Sequence, residues 1–92
     1  MKTAKLTKDN LENFTGHAAL YELSDKVKYD DDKETRYVIC STANAMFSDI
    51  ETYIFPADKD GKILDWVELD GSERGTSSHK TVLKNAGYKL VK

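Results

Sequence analysis

The sequence is short of the residues that announce a specialised chemistry. It holds one cysteine, Cys40, one proline, Pro56, and two histidines, His17 and His79. A lone cysteine excludes an intrachain disulfide framework and a cysteine-based zinc site. No apolar run approaches the ~18 residues of a membrane helix. The opening segment carries Lys2, Lys5 and Lys8 without an apolar stretch, so it does not read as a secretory signal. Nothing matches a P-loop, a dinucleotide fingerprint, a nucleophile elbow or a zinc-protease helix. The expectation is a cytoplasmic, non-enzymatic protein with no cofactor, no metal and no membrane partner.

What is present points to one soluble domain spanning residues 1–92, with 39% hydrophobic and 33% charged residues. The charge is uneven. Residues 1–48 are nearly balanced, at −1. Residues 49–73 set eight acids against Lys59 and Lys62, for −6. Residues 74–92 hold Arg74, Lys80, Lys84, Lys89 and Lys92 and no acid, for +5. Such asymmetry marks either a partner surface or blocks that fold together and cancel.

Thr7 to Gly16 reads as a short helix, with Thr7 as N-cap and Gly16 as the stop. His17–Leu23 reads as a strand, and Ser24–Thr35 as a loop centred on Asp30-Asp31-Asp32, with a brief extended piece at Val27 and Tyr29. Arg36–Ala43 is the best strand, β-branched and aromatic on both faces. Glu51–Phe55 is the next strand, and Pro56 ends its hydrogen bonding. Asp60-Gly61 is a hairpin turn, returning along Lys62–Leu69. That register sets Trp66 beside Leu64 and Glu68 and predicts that its ring packs under a second helix. This helix runs from Ser78 to Ala86, capped by Ser77 or Ser78 and closed by Gly87, with His79, Val82, Leu83 and Ala86 facing inward. Tyr88–Val91 adds an edge strand. The fold class is α+β: an antiparallel β-meander of three to five strands, with a short N-terminal helix and a C-terminal helix packed on one sheet face.

Several patterns invite a chemical reading. Asp58-Lys-Asp-Gly61 resembles a calcium-loop fragment, but its first and twelfth positions fall on Pro56 and Val67, so it reads as a turn. Cys40 with His17 or His79 offers a nucleophile and base without a local signature, and Cys40 reads as a small buried hydrophobe. Gly71-Ser-Glu-Arg-Gly75 offers glycines and Arg74 for an anion, or else a flexible connector. Met46 and Phe47 are either exposed contacts or fold back over the sheet edge. The partner-binding candidates are therefore Met46, Phe47, Asp58, Asp65, Asp70, Glu73 and Arg74. The acids among them would meet a basic groove or mimic a nucleic-acid backbone.

Tyr53-Ile-Phe-Pro-Ala-Asp58, Asp60-Gly61, Asp65-Trp66, Glu68–Ser72, Arg74-Gly75, His79 and Ala86-Gly-Tyr88 together resemble a pattern in small uncharacterised phage and prophage proteins. Leu6–Gly16 is similar to the opening of small mobile-element proteins. The resemblance covers about half the chain and transfers no residue role. It implies a cytoplasmic protein of a host cell that binds a host or phage protein complex. One form is an anti-CRISPR-type inhibitor of a host defence complex such as CRISPR-Cas. The alternatives are an accessory nucleic-acid-binding module using the basic C-terminal face and a small enzyme using Cys40 or His79. Direct nucleic-acid binding is not favoured, because the isoelectric point of about 5.6 is acidic.

Overall fold

The computed structural model describes residues 2–9, 11, 17–44, 50–67, 69, 72–74 and 79–91. Its elements are β1 (Thr3–Lys8), β2 (Ala18–Asp30), β3 (Lys33–Asn44), β4 (Ile50–Ala57), β5 (Glu73–Arg74), α1 (His79–Asn85) and β6 (Lys89–Val91). The strands form one six-stranded sheet in the order β5-β4-β3-β2-β1-β6. Neighbours are antiparallel except β1 and β6, which run parallel. The fold is thus a sheet-dominated α+β arrangement, in which an antiparallel meander is extended at both edges.

β3 is central for the reason its sequence suggests. Val38 and Cys40 enter the core on one face, and Ile39 enters a second cluster on the other. The first cluster joins Tyr21, Leu23 and Ile54 to Val82 and Leu83 of α1. The second joins Ala18, Leu20, Ile39 and Ala57, with Leu11 and Ile63 packed against them. A helix therefore covers one face and irregular chain the other.

Three expectations need correction. The helix placed at 7–16 does not begin at Thr7, because β1 continues through Lys8; residues 10 and 12–16 lie outside the described residues. β1 is held by pairing to β2 and, across the whole chain length, to β6. The polar stretch from Ser24 is strand as far as Asp30. In the register of this hairpin Lys28 lies opposite Glu34 and Asp30 opposite Lys33, and the half-buried Val27 and Tyr29 share one face of the arm. Only Asp31 and Asp32 form the turn, with Asp30 Oδ1 accepting the Asp31 N–H at 2.8 Å.

The third correction concerns the stretch after β4. Pro56 does not end the strand; it lies within β4, opposite Val38. Its carbonyl accepts the Leu64 N–H on the outer side, so its missing N–H also points outward, where the ladder needs no donor. The return segment follows β4 only loosely. Ile63 bridges Ala57, Leu69 N–H donates to Ile54, and regular pairing resumes at β5. Trp66 is 68% exposed and does not pack under α1. Its ring meets the edge of Phe55, which faces away from the helix.

α1 ends as the sequence indicates. Gly87 adopts φ +93°, Gly87 N–H donates to Lys84 and Tyr88 N–H to Leu83. This is the paired-bond helix stop that a left-handed glycine permits.

Candidate functional site

The most distinctive surface lies along the outer edge of β4. Asp58 opens it as a loop-shaping residue. Its Oδ1 accepts N–H bonds from Asp60 at 2.9 Å and Lys62 at 3.0 Å. These bonds, that from Lys62 foremost, hold its carboxyl below the usual range. Gly61 follows with φ +88°, a left-handed conformation suited to glycine at this turn. A Cβ there would lie 3.5 Å from Leu11, so the turn packs on the second core cluster.

Residues 64–67, beyond the half-buried Ile63, stand out from the protein. Leu64 is 44% exposed, Trp66 68% and Val67 38%, with the exposed Asp65 among them. The Trp66 ring lies 5.2 Å from Phe55 at 71°, and Phe55 lies 5.9 Å from Tyr53. An edge-to-face pair of this kind orients the indole without burying it. The segment cannot hide all its apolar side chains. Leu64 and Trp66 share one parity of an extended chain and Val67 the other, while loose pairing leaves this edge unsealed.

Of the residues proposed from sequence, Asp58 and Asp65 sit on this segment, Asp65 exposed and Asp58 engaged with its own loop. Glu73 and Arg74 form β5, opposite Thr52 and Glu51, at the far end of the same edge; only their backbone is described. Met46, Phe47 and Asp70 lie outside the described residues. The Gly71–Gly75 stretch has a structural serine: Ser72 Oγ accepts the Ile54 N–H at 2.9 Å and donates to the Leu69 carbonyl. Trp66, Leu64 and Val67 were missed as contact residues because large apolar side chains were assigned to the core.

Basic residues gather at the opposite edge. Lys80 and Lys84 of α1 and Lys89 of β6 line a shallow concavity of about 510 Å³ with Tyr88 and Leu90. Lys2 reaches the Tyr88 ring, 5.8 Å from its centroid.

A polar network lies at the start of α1. His79 is buried, with Nδ1 3.1 Å from the Tyr21 hydroxyl and Nε2 3.2 Å from Thr42 Oγ1. Thr42 Oγ1 in turn lies 3.0 Å from Thr52 Oγ1. The exposed His17 stacks on His79 at 4.4 Å and meets Asp9 Oδ1 at 2.6 Å. Burial and the neighbouring His17 lower the His79 pKa to about 4, against the opposite pull of a backbone bond to His17 and the charge of Asp9. His79 is thus a neutral, hydrogen-bonded core histidine, as its place on the apolar stripe suggests. Cys40 is fully buried, and burial pushes its thiol well above the ordinary range, so it carries no thiolate at neutral pH. Among the described residues, no three His, Cys, Asp or Glu side chains come together to hold a metal ion. Nor is any described helix long and apolar enough to cross a membrane.

Comparison with family models, curated proteins and solved structures finds no match to this chain.

Proposed function

We propose that this protein is a non-enzymatic interaction module that grips a basic protein surface with the edge segment around Trp66. One observation carries the reading: the chain's only tryptophan is 68% exposed, flanked by the exposed Leu64 and Val67. Large contiguous apolar patches on small proteins mark contact sites, and tryptophan is enriched among residues that dominate binding energy. Asp60 and Asp65 supply an acidic rim, and the net −6 of residues 49–73 favours a basic partner. The phage resemblance directs the partner reading towards a host or phage protein complex in the host cytoplasm, with inhibition of a CRISPR-type defence complex as its specific form.

The test is binding of the full chain to a panel of purified CRISPR effector complexes, alongside a plaque-protection assay. Wild type should bind and protect. Trp66→Ala should weaken binding by at least about tenfold, the scale of a contact hot spot. Absence of binding and protection removes the inhibitor reading. Binding that survives both Trp66→Ala and reversal of Asp60 and Asp65 to lysine removes this surface.

A second reading rests on the Lys80, Lys84 and Lys89 concavity, a basic groove able to follow a phosphate backbone. α1 and β6 carry no acid to oppose it. Here a labelled single-stranded oligonucleotide should bind with an affinity that falls as salt rises, and Lys80→Glu with Lys84→Glu should abolish it. Salt-independent affinity counts against phosphate-driven binding.

A further inference from the structure

The two edges of the sheet differ in kind. At one, the chain from Leu64 runs loosely along the outer side of β4, bonded at Leu64 to Pro56 and at Leu69 to Ile54, and β5 completes it. At the other, β6 pairs with β1 from Thr3 to Lys5, so Leu6 lies beyond its last described partner. Among the described residues, the large hydrophobic side chains that stand exposed are Leu6, Leu64, Trp66 and Val67. All four belong to these two edges. The β6 edge also offers backbone. Lys89 N–H donates to the Lys2 carbonyl, and successive residues of a strand turn their amides to opposite sides. Leu90 therefore turns its N–H and C=O off the sheet.

The charges differ as well. β1, α1 and β6 hold Lys5, Lys8, Lys80, Lys84 and Lys89 and no acid. Residues 64–74 hold Asp65, Glu68, Asp70 and Glu73 against Arg74. Lys8 turns to the Asp60 carbonyl at 3.5 Å, and Asp9 beyond it meets His17. Lys5, Lys80, Lys84, Lys89 and Asp65 are exposed and make no ion pair among the described residues. An open edge is a template for another chain, and lysines on it keep it from pairing with its like. Here they disfavour β6 against β6, and the acids disfavour the Trp66 edge against itself. One combination is left, the lysine edge of one copy beside the acidic edge of the next.

We propose that this protein assembles head to tail with copies of itself, the Leu64–Val67 segment of one copy seated against the α1–β6 edge of the next. The proposal rests on the reading of the Trp66 segment as a contact surface and names its basic partner. The two edges are different surfaces, so each added copy leaves one of each kind open and growth continues unless a ring closes.

Sedimentation equilibrium of the full chain should show a mean mass that rises with concentration and falls as salt rises, because salt screens exposed charges. Methyl NMR over the same concentrations should move Leu6 and Leu90 at one edge together with Leu64 and Val67 at the other, with Ile39 of the core unmoved. Trp66→Ala should weaken association by at least about tenfold, the scale of a lost hot spot. Lys80→Glu with Lys84→Glu should do the same through charge. Both variants change exposed side chains, and unmoved core methyls check that they fold. Mixed in equal amounts, they should form a complex that stops at two chains, because each supplies one intact edge and the other two edges repel. The inference is overturned if wild type stays monomeric at every concentration, if association ignores salt, if the methyls of one edge alone respond, or if the mixed variants fail to pair. A monomeric wild type that binds a CRISPR effector through Trp66 overturns self-assembly and leaves the Trp66 contact surface standing.

Discussion

His79 is where a single residue makes stability depend on pH. The native ring resists protonation down to about pH 4, whereas the unfolded side chain takes a proton near 6.5. Between those values the unfolded state binds more protons, so stability is full above pH 6.5 and is lost as pH falls towards 4. The total is on the order of 2–3 kcal/mol. Thermal midpoints should therefore drop as pH falls from neutrality, before most carboxylates protonate. His79→Gln should flatten that slope, and an unchanged slope would assign it to another group. Trp66 gives the converse case at the same scale. Its indole is exposed and meets Phe55 edge to face, so Trp66→Ala should cost only about 1.5 kcal/mol. Leu83→Ala, on the buried face of α1, should cost about 2–5 kcal/mol. Denaturant titration of the two variants would separate these roles, and equal losses would contradict the exposed placement of Trp66.

At the scale of the element, α1 depends on its stop. Gly87 turns the chain so that Tyr88 enters the core and Lys89 N–H reaches the Lys2 carbonyl at 2.9 Å, starting β6 beside β1. A Cβ at Gly87 would meet nothing within 4 Å, so a substitution there costs backbone strain alone. Gly87→Val should destabilise by about 1–2 kcal/mol, and Gly87→Asn by less, because asparagine tolerates the left-handed region. A calorimetric comparison checks the order. The other elements divide by how local their causes are. The β3 strand, the Asp60-Gly61 turn and the helix from 79 with its Gly87 stop were legible, because each is set by neighbours within a few residues. β1 was not: Thr3–Lys8 holds only Ala4 and Leu6 as apolar residues, and its pairing partner β6 lies at the other end of the chain. The β2 arm reads as loop in the sequence because its polar residues are held by backbone pairing with β3, and composition alone reads such a stretch as solvated coil.

For the whole molecule, the described acids Asp58, Asp60 and Asp65 lie apart from the described lysines of α1 and β6. The described acidic loop lies beyond β4, and Lys80, Lys84 and Lys89 lie at the α1–β6 edge of the sheet. Exposed charges spread in this way contribute little to folding. Reversing Asp60 and Asp65 to lysine should shift stability by no more than about 0.5 kcal/mol, while slowing association with a basic partner and flattening its salt dependence. A large loss of stability would mean that the acidic loop is tied into the fold electrostatically.

The sequence by itself determined the α+β class, the central strand, the terminal helix with its inward histidine, and the two charge blocks. These follow from local periodicity, capping and composition. The tertiary structure alone decided which apolar residues are core. Trp66 has the composition of a core residue and the burial of a contact residue, because the segment carrying it pairs too loosely with β4 to turn it inward. It alone also brought His17 onto His79 and joined β1 to β6. Each depends on which strands become neighbours, which is set by packing between segments distant in the chain.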